Sequence, residues 1–317
     1  MSIVRRIFPS ATNALRPRLA CEITPLGVLA GRPGSVAIAG EAQDVMTSFA
    51  PLRMGTLMPG LKSPNMTDRA AVASALRQAL EPMAERERKV TIVVPDATVR
   101  VMVLDFDTLP ARVPEAVPIL RFRLRKLVPF DVEDAAVSYQ VMHSAVGDSM
   151  VRVLAAVMPG AVRAEYEDAV REAGYEPGAV LSSSLAALAA VPGEAASLVV
   201  NRNSNSITTA IVRGNDVLLY RTIDLGERGV DPELGEAQAT LELQQTVSVA
   251  LAYFEDTLAS TPEHLFSVGL GGAPELARLL GEDTIRIRDL VPAPARSGGS
   301  EQAPSGLLAP LVGALAS

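Results

Sequence analysis

A glycine-rich turn near the end of the chain is the segment best suited to phosphate chemistry. Gly269-Leu270-Gly271-Gly272 follows a predicted strand, and glycine lets backbone N–H groups approach a phosphate closely. The dinucleotide-binding fingerprint has a similar spacing, but it needs glycine or alanine at its sixth position and lies in the first strand–helix–strand unit. Here the sixth position is Pro274 and the turn is close to the C-terminus. The pattern therefore argues against a dinucleotide-dependent oxidoreductase.

Two aspartates and a serine run are further candidates for chemistry. Asp105 and Asp107 end an apolar strand, as do the nucleophile and the acid/base of haloacid-dehalogenase-type phosphatases. That family places a threonine two residues beyond the second aspartate, whereas Thr108 follows Asp107 directly. The run at 182–184 lacks the G-x-S-x-G context and a nearby histidine. We therefore interpret the aspartates as surface carboxylates and do not expect a serine nucleophile.

Composition restricts the class of protein. A chain of 317 residues is long enough for two domains, and its single cysteine, Cys21, excludes an internal disulfide and fits a reducing compartment. The two histidines, His143 and His264, are too far apart for zinc-ligand spacing. The net charge of −7 argues against a nucleic-acid binder. No apolar run reaches the about 20 residues that cross a bilayer, so we expect a soluble, cytoplasmic protein.

Hydrophobic periodicity and turn residues predict the elements of the first half. We expect strands at 19–29 and 35–39 joined by a turn at 31–34, an irregular connection at 51–66, a helix at 67–88 and a buried strand at 90–95. A small β-α-β-β-α module follows, with strands at 99–104, 136–142 and 150–157 and helices at 114–128 and 161–173. A helix at 182–191 then returns to the first module.

The second half repeats this alternation. Strands are predicted at 197–200, 208–212 and 217–222, with a hairpin turn at Gly214-Asn215. A long helix at 232–258, a strand at 265–271 and a short helix at 274–280 come next. The last prediction is an apolar terminal helix at 307–315, which needs a docking surface.

A basic amphipathic stretch ending in Pro129-Phe130 carries a family resemblance. Arg121, Arg123, Arg125 and Lys126 precede a proline that stops the helix, and an acidic segment and a predicted strand follow. This order resembles the corresponding stretch of the type IV pilus assembly protein M (PilM) family, and Leu225-Gly226 is similar to the first half of its second-domain L-G-G motif. The resemblance implies an α/β, two-domain actin-like (ribonuclease H-like) ATPase fold with a small α/β subdomain inserted in domain 1.

The resemblance also implies a degenerate nucleotide site. Two D-x-G hairpins hold phosphates and metal in such folds, since a carboxylate positions hydrated Mg²⁺ and glycine leaves room for phosphate. The first falls on Glu22 and Thr24, and the second on Asn201 and Asn203. Only the Gly271-Gly272 turn is intact. We expect no cofactor, with little capacity for ATP and Mg²⁺, and we expect that restoring Asp and Gly at 201 and 203 improves nucleotide binding.

The function implied by the resemblance is a scaffold of a type IV pilus or a related type II secretion platform at the inner membrane. It would bind the N-terminal cytoplasmic peptide of a single-span, PilN-like partner and could associate with itself as a ring or dimer. We expect the peptide in a cleft between the 114–128 helix and the first domain's sheet, contacting Ile119, Arg123, Leu127, Pro129 and Phe130. The alternative is an active actin-like ATPase or kinase-type phosphotransferase.

The domain boundaries follow from the same assignment. We expect a basic arm at 1–18, domain 1 at 19–191 with its insertion at about 97–175, and domain 2 at 192–291. A flexible loop at 292–306 and a helix at 307–317 docking on domain 1 complete the chain. The arm contains four arginines and no acid, so it could contact an anionic membrane surface or an acidic partner; the alternative is a solvated, partly disordered terminus.

Overall fold

The computed structural model describes six segments of the chain. They are residues 17–34, 45–142, 150–225, 232–281, 286–292 and 306–316, without the side chains of 232–234. The predictions made for the arm at 1–16, the strand at 35–39, His143, Gly226 and the loop at 293–305 lie outside these residues.

Thirteen strands and seven helices are present in the described segments. In chain order the strands are β1 Leu19–Thr24, β2 Gly27–Pro33, β3 Val45–Pro51, β4 Lys89–Val94, β5 Arg100–Phe106, β6 Ala136–Val141, β7 Val151–Met158, β8 Glu176–Ser182, β9 Ser197–Arg202, β10 Ser206–Arg213, β11 Asp216–Asp224, β12 His264–Gly269 and β13 Arg286–Asp289. The helices are α1 Arg69–Ala84, α2 Val113–Leu124, α3 Gly160–Glu172, α4 Ser183–Leu188, α5 Pro232–Leu258, α6 Gly272–Leu280 and α7 Leu308–Leu315. A short 3₁₀ turn spans Asp96–Thr98.

Two five-stranded sheets with the same topology form the two halves of the chain. The first has the order β3-β2-β1-β4-β8 and the second β11-β10-β9-β12-β13. In each sheet the first three strands in sequence are antiparallel. The fourth strand pairs in parallel with the first, and the fifth pairs in parallel with the fourth. The central strands are buried along nearly their whole length, which explains their continuous apolar runs. This repeated unit confirms the predicted two-domain α/β fold class.

A third, antiparallel sheet of three strands lies between β4 and β8 in sequence, in the order β5-β7-β6. Its side chains alternate between two cores. On β7, Val153 and Ala155 pack with Leu120 and Leu124 of α2, whereas Leu154 belongs to the largest core, which contains residues of both five-stranded sheets. Because alternate side chains of a strand point to opposite faces, α2 and this core lie on opposite faces of the small sheet.

The C-terminal helix α7 returns to the first half of the chain. It packs against α4 and against β1, β2 and β4. Leu308, Leu311 and Ala314 are buried there with Leu29 and Leu181. The apolar face of this helix is therefore covered by the chain itself.

Several element boundaries differ from the sequence predictions. The strand predicted at 19–29 is a hairpin, because Pro25 and Leu26 make the turn between β1 and β2. The helix predicted at 114–128 ends at Leu124 and continues as turns. Strands β3, β8 and β13 were not predicted, and the helix at 182–191 is shortened to Ser183–Leu188.

Candidate functional site

Glu22 and Asn201 occupy matching positions in the two halves of the chain. Glu22 lies on β1 and Asn201 on β9, each near the end of its strand and two residues before the position that replaces the motif glycine, Thr24 or Asn203. Both side chains are almost completely buried. The hydroxyl of Ser183 donates to Oε1 of Glu22 at 2.8 Å, and the Asn201 amide lies 3.2 Å from the same hydroxyl. The structure therefore brings these two predicted residues together through the first residue of α4.

A buried aspartate that the sequence analysis did not select lies at the centre of this arrangement. Asp96 accepts hydrogen bonds from the backbone N–H of Ser184 at 3.0 Å and from the Ser184 hydroxyl. From the second sheet, the Thr208 hydroxyl donates at 3.0 Å and the Asn201 amide at 3.3 Å. Hydrogen bonds to a charged group contribute about 1.5–3 kcal/mol each, and an unpaired buried carboxylate is costly. We call Glu22, Asp96, Ser183, Ser184, Asn201 and Thr208 the junction cluster.

Burial controls the protonation of both carboxyl groups in the junction cluster. The pKa of Glu22 is raised to about 8. Burial is the largest cause, the hydrogen bond from Ser183 acts against it, and the nearby Asp96 adds to it. Burial also raises the pKa of Asp96, while the hydrogen bonds from Ser184 and Thr208 lower it. Glu22 has one hydrogen-bond donor and Asp96 has four, so Glu22 is the group better suited to hold a proton.

The two turns expected to hold phosphate are closed by their own hydrogen bonds. The Thr24 hydroxyl donates to the carbonyl of Gly27 at 2.9 Å, which closes the turn from β1 to β2. The backbone N–H of Asn203 donates to the carbonyl of Ser206 at 2.9 Å, which closes the turn from β9 to β10. In both turns the residue replacing the motif glycine therefore takes part in closing a hairpin.

The glycine-rich turn is filled by other parts of the same chain. Gly271 and Gly272 both have positive φ angles, 78° and 62°, and lead into α6. The Asp289 carboxylate accepts from the backbone N–H of Ala273 at 2.7 Å. Gly306, just before α7, accepts a hydrogen bond from the N–H of Gly269 at 3.0 Å.

The donors and acceptors of the junction cluster do not fit a hydrated Mg²⁺–phosphate pair. Asn201 carries no charge and directs its N–H groups at Asp96 and two serines. Among the described residues there is no group of three His, Cys, Asp or Glu side chains that could hold a metal ion. What the cluster can do chemically is join the two halves of the chain through a desolvated hydrogen-bond network.

The signal for the missed residues was weak but present. Asp96 lies two residues after the end of the buried strand β4, and a polar residue at the carboxyl end of a central parallel strand is a common site position. Thr208 and Ser184 gave no such signal, because they are 112 and 88 residues away from Asp96 in sequence.

The residues expected to contact a partner lie on the inserted sheet and its helix. Ile119, Arg123, Leu127 and Pro129 are exposed, whereas Phe130 packs partly into the core beneath α2. The expected peptide cleft between this helix and the first sheet stays a prediction. The predicted partner residues therefore border the outer surface of the insertion.

Among the described strands, β6 has a pairing partner on one side only. It is the terminal strand of the small sheet, it pairs with β7, and its Val137 and Tyr139 pack into the core beneath α2. The N–H of Met142 donates to the carbonyl of Arg152 at 2.8 Å, so Met142 and Arg152 are a hydrogen-bonded pair. Counting back along β6 from Met142, every second residue forms such a pair with β7, and the residues between them do not. The N–H and C=O groups of Val137, Tyr139 and Val141 consequently point away from β7. The other edge, β5, lies against β11, where Arg100 pairs with Asp224.

Comparison with known proteins supports the fold. No protein-family model and no curated protein sequence matches the chain. The chain is similar to a solved structure described as the PilM-PilN type IV pilus biogenesis complex, with 20% identity and a TM-score of 0.70 over 95% of this chain and 98% of that one. It is also similar to the cytoplasmic domain of EpsL, an inner membrane component of the type II secretion system of Vibrio cholerae, with 14% identity and a TM-score of 0.50 over 94% of each chain. At these identities the likeness establishes the actin-like fold.

None of the helices in the described part of the chain has the length and hydropathy of a membrane span.

Proposed function

We propose that this chain is a non-catalytic scaffold on the cytoplasmic side of an inner-membrane platform, of the type IV pilus or type II secretion kind. Two of its fold relatives are described as parts of such machines. The junction cluster is the observation that favours a scaffold, because Asn201 uses its amide to bond Asp96 where a phosphate site needs a carboxylate. On this proposal the fold provides a rigid platform and no nucleotide chemistry.

The scaffold's partner is a single-span membrane protein whose N-terminal cytoplasmic peptide binds the insertion. The open edge of β6 suits an extended peptide, since strand addition gains main-chain hydrogen bonds and needs only a few side-chain contacts. The Val141 side chain is 51% exposed at the end of this edge. Leu127, Pro129 and Phe130 precede the same strand in the chain, and we keep them as candidate contacts of the peptide.

The position of β6 is fixed from behind by α2. The guanidinium of Arg121 donates to the carbonyls of Val132, Glu133 and Ala135, with distances of 3.0 Å to Glu133 and 2.9 Å to Ala135. These bonds hold the segment that enters β6 at Ala136. A prearranged edge lowers the entropy cost of ordering an incoming peptide.

The test uses one substitution that removes an outward N–H group. Val141→Pro should weaken binding of the N-terminal peptides of single-span proteins encoded beside this chain by tenfold or more, on the order of the loss of a main-chain hydrogen bond plus a steric block. The ladder to β7 should survive, because the lost N–H points away from it. Val141→Ala is the matched control and should change affinity by about twofold at most. Equal affinities for the two variants would contradict the proposed edge.

An actin-like ATPase or kinase-type phosphotransferase is the alternative. One observation favours it: Oε2 of Glu22 and Oδ1 of Asn201 are buried oxygens without a hydrogen-bond partner, and oxygens are the ligands that Mg²⁺ prefers. Nucleotide binding by the purified chain separates the two functions.

A further inference from the structure

The outer face of α2 carries an exposed aromatic side chain beside basic residues. Phe122 is 65% exposed and is the only aromatic among the large apolar side chains exposed in the described segments. Ile119, one turn before it, is 39% exposed. The ammonium of Lys126 lies 5.7 Å from the centre of the Phe122 ring. Burying an aromatic ring gains free energy, so a side chain left this exposed on a regular helix indicates a surface that is covered in use.

The charges around Phe122 are divided between two flanks of the helix. On one flank, Arg121 and Arg125 are bound to the segment before β6, Arg125 through an ion pair with Glu133. On the other flank, Arg123 is exposed and has no ion-pair partner among the described residues. Lys126 is likewise exposed beside the ring. The free positive charge therefore lies on the side of Phe122 and Ile119, away from the acidic segment.

The shape of this face decides between two classes of occupant. A bound peptide needs a groove or a strand edge, and among the described residues α2 packs its buried side chains on its own small sheet and has no strand beside its outer side. A convex helix that presents aromatic and aliphatic side chains beside free basic ones suits the headgroup layer of an anionic membrane, where the apolar groups enter and the charges meet lipid phosphates.

We propose that the Ile119–Phe122–Arg123–Lys126 face of α2 binds the surface of a membrane containing anionic phospholipids. Arg123 and Lys126 provide the electrostatic attraction, and Phe122 inserts between the headgroups. This contact is independent of the peptide edge on β6, since it involves different residues and no second protein. It would orient the insertion toward the bilayer in which a single-span partner is anchored.

The absence of tryptophan from the sequence allows a direct measurement. Phe122→Trp creates a single indole reporter in the full-length chain. Its fluorescence should shift to shorter wavelength with vesicles of phosphatidylglycerol and phosphatidylcholine in equal parts, and should not shift with pure phosphatidylcholine. Leu241→Trp on α5, at a position 62% exposed, is the matched control and should not shift with either vesicle. No shift at position 122, or a shift caused by a soluble acidic peptide but not by vesicles, would overturn the proposal.

Charge variants test the electrostatic part. Arg123→Glu with Lys126→Glu should weaken partition onto the mixed vesicles by at least about twentyfold, because each basic residue near the surface contributes about fivefold. Arg53→Glu with Arg86→Glu changes the net charge equally at two exposed positions elsewhere and should have a much smaller effect. Both pairs are compared in variants lacking residues 1–16, so that the arginines of that arm do not contribute. Equal losses for the two pairs would show that binding follows net charge and not this face.

Discussion

The side-chain amide of Asn201 donates a hydrogen bond to the carboxylate of Asp96 over 3.3 Å, from the second sheet to the end of β4 in the first. The same nitrogen is 2.9 Å from the hydroxyl of Ser184. A donor is required at this position, because Asp96 is buried and negatively charged when ionised. An ionised aspartate at 201 could not supply one.

Asn201→Asp should therefore destabilise the protein instead of restoring a nucleotide site. The change loses the amide donor and places a third carboxyl group beside Glu22 and Asp96, which should cost roughly 2–4 kcal/mol. Urea unfolding measures the difference. Asn203→Asp is the control, since the backbone of Asn203 closes its turn and its side chain has no hydrogen bond among the described residues. Unchanged stability of Asn201→Asp, or a gain in nucleotide affinity, would contradict this reasoning.

The unmodified chain should not bind Mg-ATP with micromolar affinity. Asn201 gives no charge for the metal, and the turns at Thr24 and Asn203 are closed by their own hydrogen bonds. Titration calorimetry with Mg-ATP is the measurement. A heat signal fitting a micromolar dissociation constant would support the alternative function, an ATPase or phosphotransferase, and would contradict the proposal of a non-catalytic scaffold.

Glu22 should make folding stability depend on pH. Its pKa is about 8 in the folded chain and near 4.5 when unfolded, so the folded state holds the extra proton between these values. The contribution of Glu22 to the free energy of unfolding is therefore complete below pH 4.5. It is lost as the pH rises toward 8, by up to about 1.4 kcal/mol per pKa unit. Glu22→Gln should flatten the pH dependence of the unfolding free energy over that window. A slope equal to that of the unsubstituted chain would assign the effect to other groups.

Gly306 should tolerate no side chain. A Cβ atom there would lie 2.0 Å from the carbonyl oxygen of Gly269, and its φ angle is 89°. Gly174 has a similar φ of 91° and open space around the added atom. Gly174→Ala should cost roughly 1–2 kcal/mol from backbone strain alone, and Gly306→Ala roughly 2 kcal/mol more from the clash. Thermal unfolding of the two variants compares them, and equal losses would mean that the contact with Gly269 relaxes freely.

The sequence was most informative where a pattern is local. The buried strand β4, the hairpin at Gly214-Asn215 and the long helix α5 lie where periodicity and turn residues placed them. Strand β8 was not predicted, and it contains Pro177 and Gly178, two residue types that are unfavourable inside a strand. In the structure Gly178 runs so close to β4 that an added Cβ would lie 2.8 Å from the carbonyl of Val90. Only the long-range pairing makes that segment a strand.

The junction cluster was only partly predictable for the same reason. Glu22 and Asn201 were found because the family resemblance places its two D-x-G motifs at these positions. Asp96 and Thr208 were not, because their roles depend on the two sheets meeting. Three-dimensional proximity of residues about a hundred positions apart leaves no periodic signal in one sequence.

The uncovered edge of β6 also has a consequence for how the protein must be produced in the cell. The outer backbone groups of β6, which pair with no other described strand, are a template for another copy as well as for a partner. Chains synthesised in excess of their partner would therefore be prone to edge-to-edge aggregation, and balanced synthesis of the two proteins would protect solubility. The relative amounts of the two proteins, and not only their affinity, would then determine whether the chain stays in solution.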